Sequence, residues 1–158
     1  METNHLFYKI RKGTVTSRDY INWSYSLLRN EISSPSLNIL SSCSFSDNLF
    51  EIESYFKRSL KELAIKDPTF EACARAHISS LAKEIVKAKD HKEIFNLAEM
   101  IFQVVAIEVD NSDDFLSWIE ISELVDRLNY DVGCFTLNKR DVISKVKKEA
   151  MLLLGLDH

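Results

Sequence analysis

The sequence predicts an all-α protein, one domain over 1–158 with about six or seven helices in a bundle or a short helical-repeat-like stack. Three observations predict it. There are 3 Gly and 2 Pro in 158 residues, where average usage would supply roughly 11 and 8. A sandwich or barrel would need a turn every ~8 to 12 residues, made mostly by Gly, Pro, Asn and Asp. Apolar residues recur at spacings of three and four, and several of these runs are preceded by a Ser, Thr, Asp or Asn with an acid just behind it. That order suits a helix start, because the side-chain oxygen takes an orphan N–H and the acid complements the helix dipole.

The elements follow in order. Residues 5–15, with Leu6, Phe7, Tyr8, Ile10 and Val15, show no helical period and are read as an extended N-terminal arm or a short hairpin. Thr16-Ser17-Arg18-Asp19 opens a helix to about Asn30, and Ser34-Pro35 opens a short one to about Ser42, with Pro at the first helical position. Ser46-Asp47 begins a third, carrying Leu49, Ile52, Phe56, Leu60 and Leu63 and ending before Asp67-Pro68. Pro68 is placed in the first turn of a fourth, with Phe70, Ala74, Ile78, Leu81 and Ile85. Asp90-His91-Lys92-Glu93 has the outline of a capping box and opens a fifth. Asn111 to Asp114 opens a sixth to about Asn129, and Asn138 to Asp141 a seventh to about Leu154, closed by Gly155. Gly13, Gly133 and Gly155 all fall outside the helices so drawn. Residues 93–109 are apolar almost all round, with Asn96, Glu99 and Gln103 as a narrow polar stripe, so this segment is expected at the centre of the fold.

Targeting and redox signals point to the cytoplasm. Met1-Glu2-Thr3-Asn4-His5 lacks the basic and apolar regions of a secretory signal, and no apolar run approaches the ~18 residues of a membrane span. Cys43, Cys73 and Cys134 are far apart and form no CxxC pair, as free thiols in a reducing compartment would be.

Charge is uneven. The chain carries a net charge of -4, yet residues 108–131 hold eight acids (Glu108, Asp110, Asp113, Asp114, Glu120, Glu123, Asp126 and Asp131) against the single base Arg127. The segments 1–66 and 132–158 are each positive by two. The net acidity disfavours a dedicated nucleic-acid binder. Basic residues at Lys57, Arg58, Lys61 and Lys66, and again in 83–92 and 139–148, are mostly interleaved with acids and read as solvated faces.

Catalytic and metal signatures are sparse. There is no GxSxG, HExxH or glycine-rich phosphate loop, so a non-catalytic protein without cofactor or metal is expected. Cys73 and His77 have the i, i+4 spacing at which two side chains on one helical face meet an ion, but two more ligands at short spacing are missing. Among apolar neighbours Cys73 reads as a small buried hydrophobe. The acidic stretch is the better candidate. In its helix Trp118, Ile121, Val125 and Leu128 face the core, while Asp113, Glu120, Glu123 and Arg127 gather on another side with Leu116 among them. An apolar side chain ringed by carboxylates suits contact with a basic protein partner, with Glu108, Asp110, Asp114, Asp126 and Asp131 as flanking contributors. The alternative is that Leu116 packs locally and the acids only solubilise.

The segment Val15-Thr16-Ser17-Arg18-Asp19-Tyr20-Ile21-Asn22-Trp23, then Ser36-Leu37-Asn38-Ile39-Leu40 and Ile52-Glu53-Ser54-Tyr55-Phe56, resembles small helical immunity proteins of bacterial toxin-immunity systems, including contact-dependent growth inhibition. The resemblance covers about the first 65 residues as a pattern, and it carries no functional residue by motif. It implies a cytoplasmic inhibitor that binds a toxin domain, often a nuclease, by blocking its substrate surface. That surface is basic where it receives phosphates. Two further readings stay open: a helical adaptor or scaffold, and a small ligand- or metal-binding helical enzyme.

Overall fold

The computed structural model describes residues 1–109, 113–130 and 138–156. They form eight α-helices: α1 (Thr3–Arg11), α2 (Ser17–Arg29), α3 (Pro35–Ser42), α4 (Leu49–Glu62), α5 (Phe70–Lys87), α6 (His91–Glu108), α7 (Leu116–Tyr130) and α8 (Lys139–Leu153). A 3-10 turn, Asp113–Phe115, precedes α7, and no strand occurs among the described residues. The all-α expectation holds. Two compact units divide the chain, Met1–Ala76 and His77–His158, with α5 running from the first into the second.

The first unit corrects the expected N-terminal arm: Thr3–Arg11 is a helix. With barely two and a half turns it shows little period, and Tyr8 widens its buried face beyond Leu6 and Phe7. Its partner is α2, which starts where expected, after Thr16, and is closed there by a capping box between Thr16 and Asp19. The Asp19 carboxylate also takes Lys9 of α1 at 2.6 Å, which ties the two helices together. The centre of the unit is Phe56 of α4, with ring centroids 5.8 Å from Phe7, 4.9 Å from Tyr20 and 4.9 Å from Trp23. Such aromatic pairs add ~1 kcal/mol each beyond area burial. Helix α3 packs on α2 and α4 through Leu37 and Leu40, and Glu62 at the end of α4 takes the N–H and hydroxyl of Ser36 at 2.9 and 2.6 Å.

Two helix starts in this unit move by two residues. Asp47 accepts the Ser44 N–H at 2.7 Å and closes a separate turn, so Asn48 caps α4 instead. Pro68 lies before α5, not in its first turn; Thr69 accepts the Ala72 N–H at 3.2 Å, and Arg11 donates to the Pro68 carbonyl.

In the second unit α6 packs on α7 and α8, and α7 packs on α8. Its core is built from Ile94, Ala98, Ile101 and Val105 of α6, Trp118, Ile121 and Val125 of α7, and Val142, Val146 and Ala150 of α8. Asp90 caps α6 as expected, accepting the Glu93 N–H at 2.9 Å. Helix α6 is less enclosed than its composition suggests. Asn96, Met100, Gln103 and Ile107 form one exposed stripe along it, with Ile107 79% exposed. Glu99 bridges that stripe to α7, accepting from the Gln103 amide at 3.5 Å and from the Ser122 hydroxyl at 3.2 Å. Lys147 of α8 donates to the Ala88 carbonyl at 2.8 Å, which satisfies an acceptor just past the end of α5.

Four helices end alike. After α1, α2, α4 and α8 a residue with φ between 53° and 67° stands at the position beyond the cap: Gly13, Glu31, Ala64 and Gly155. In each case the next residue's N–H returns to a carbonyl five residues back (Thr14 to Lys9, Ile32 to Leu27, Ile65 to Leu60, Leu156 to Met151). This is the Schellman closure. Glycine accepts that backbone freely, whereas Glu31 and Ala64 adopt it against their Cβ atoms.

Candidate functional site

The acidic face is built on α7. Burial of Trp118, Ile121 and Val125 fixes the rotation of the helix and sends Leu116, Glu120, Glu123 and Arg127 to the outside. Leu116, 49% exposed, and Glu123 lie about 10 Å apart along the axis, with Glu120 between them. The Glu120 carboxylate accepts from Lys145 of α8 at 3.1 Å with both side chains largely in solvent. An exposed pair of this kind contributes about 0–1 kcal/mol and exchanges readily for another cation.

The other acids divide. Asp113 and Asp114 are exposed in the 3-10 turn before α7 rather than in its first turn. Asp126 is exposed but sits about 80° round the helix from Leu116. Glu108 is half-buried at the end of α6, on a different helix from the α7 stripe. Asp110 and Asp131 lie outside the described residues, as do Cys134 and Gly133. The coherent surface is therefore Leu116, Glu120 and Glu123, with Asp113 and Asp114 at one end. At the other end stands Tyr130, 80% exposed, which continues the 116, 120, 123, 127 spacing and was not singled out from the sequence. That spacing was the available signal, since an exposed aromatic on a charged stripe is a common contact group.

Among the described residues, Cys73 and His77 are joined by no further metal-ligating side chain. Cys73 is fully buried, and burial pushes its thiol above the ordinary range, with Arg11 opposing and Asp67 adding to the shift. A protonated buried thiol is a poor ligand and a poor nucleophile. Among the described residues no group of three or more His, Cys, Asp or Glu is placed to hold an ion. No described helix is long and apolar enough to cross a membrane. No family model, curated protein or solved structure matches this chain.

Proposed function

We propose that this chain is a non-catalytic binding protein that presents the acidic stripe of α7 to a basic surface of a protein partner. The observation that carries the reading is the common exposure of Leu116, Glu120 and Glu123 on one helical stripe. Carboxylates around an apolar contact accelerate encounter with a cationic surface and select among partners. The partner we propose is a bacterial toxin domain, a nuclease, whose phosphate-receiving surface this face would cover, the chain acting as its cytoplasmic immunity protein. The resemblance of residues 15–23, 36–40 and 52–56 to such inhibitors supports that choice.

The test is to identify the neighbouring reading frames and, where one encodes a protein with a toxin-like C-terminal domain, to co-express that domain with this chain. The native chain should rescue growth and co-purify with that domain. Glu120→Lys with Glu123→Lys should slow association by about tenfold or more at low salt and flatten its salt dependence, with the circular dichroism spectrum unchanged. Unchanged association kinetics in that variant would remove the α7 stripe from the interface, and failure to rescue growth would remove the immunity assignment.

A further inference from the structure

The first unit holds a groove beside α4 that the acidic face does not use. Its inner part, about 350 Å³, is walled by Phe7 and Ile10 of α1 and by Phe56 and Leu60 of α4. Its outer part, about 510 Å³, continues along Lys57, Lys61, Ala64 and Lys66, and the two parts share Lys57, Leu60 and Asp67. Concave sites of this size with apolar walls and a few convergent polar groups are those that take small ligands.

Two features say what would fit. Tyr20 lines the inner part and is only 1% exposed, yet its hydroxyl makes no hydrogen bond to any described residue. That hydroxyl is not among the fully buried polar atoms without a partner, so it still opens to the groove, where an acceptor brought by a ligand can take its hydrogen. Burial, then the charges of Glu53 and Asp19, pushes this hydroxyl up to about 12, so it stays protonated and donates. The mouth is cationic. Arg11, Lys57, Lys61 and Lys66 face two acids, Glu53 and Asp67; Glu53 is held by Lys57 at 2.7 Å, and Lys61 and Lys66 pair with no carboxylate among the described residues.

We infer that this groove is a binding site for a small aromatic anion, its ring lying against the wall formed by Phe7, Ile10, Phe56 and Leu60, an acceptor at its inner end on the Tyr20 hydroxyl, and its acid group over Lys61 and Lys66. This site is independent of the α7 face and of the partner proposed for it.

The probe is 4-nitrophenyl phosphate, which carries an acceptor and an acid group at opposite ends of one ring. Isothermal titration of the full chain should show saturable one-to-one binding. Lys61→Glu with Lys66→Glu, both exposed positions, should weaken it by about tenfold or more. Tyr20→Phe should weaken it by roughly threefold to tenfold, the loss of one hydrogen bond, with the thermal midpoint retained or raised. Inorganic phosphate and 4-nitrobenzyl alcohol, each lacking one end, should bind much more weakly. Absence of saturable binding to the native chain, equal binding of phosphate alone, or affinities unchanged in the folded variants would overturn the assignment.

Discussion

Ala64 and Glu31 each hold a left-handed backbone that a Cβ resists, at a cost of about 1–2 kcal/mol. Both are repaid by the carbonyls they close and by bringing Ile65 and Ile32 back over the last turns of α4 and α2. Glycine at either position removes the steric cost but loosens the unfolded chain. Ala64→Gly should therefore raise stability by roughly 0.5–1 kcal/mol, and Ala64→Val should lower it, as read from urea midpoints. A second residue-scale effect is protonic. Burial alone would raise the Asp19 carboxyl, but the bonds from Lys9 and Thr16 outweigh it and hold the group below its ordinary range. Hydroxyls of Ser34 and Ser36 hold Glu62 down in the same way, and burial followed by Lys9 lowers His5. In each case the folded value is depressed, so the stability these groups contribute is complete above the unfolded value and is lost as pH falls through the folded one. Thermal midpoints should begin to fall below about pH 6.5 with His5 and fall further through the carboxylate range, and Asp19→Asn should flatten the second part of that profile.

At the scale of elements, helix starts were the legible part of the sequence, because Thr16, Ser34, Asp90 and Asn138 cap with side chains that announce themselves. Helix ends were legible only where glycine marked them. The expected third helix runs on toward Asp67, whereas α4 stops at Glu62, since an alanine in the left-handed region leaves no compositional trace. Helix α1 was missed for want of length, and the exposed stripe on α6 because Met100 and Ile107 are apolar and look like core. The α7 face was readable from periodicity, while the groove beside α4 was not, for it joins residues from α1, α2 and α4 that only packing brings together. Phe56 is the side chain on which that packing turns. Phe56→Ala should cost about 3–5 kcal/mol, and Thr16→Ala about 1 kcal/mol through the lost cap, both checked by urea denaturation.

For the whole molecule, the two tryptophans give each unit its own reporter: Trp23 is buried in the first and Trp118 in the second. Asp19, His5 and Glu62 all belong to the first unit. In single-tryptophan variants, lowering the pH from 7 to 4 should therefore shift the Trp23 transition to lower urea by more than the Trp118 transition, followed by fluorescence. The left-handed ends of α2 and α4 also bear on the order of events in folding. An isolated helix recovers only part of that cost through its own carbonyls, so Glu31 and Ala64 are expected to close their turns fully only once the surrounding side chains have docked. Contacts made that late stand on the native side of the rate-limiting barrier, where strengthening them slows unfolding and leaves the folding rate nearly unchanged. These two unglycined ends thus act on how long the folded chain lasts more than on how fast it forms.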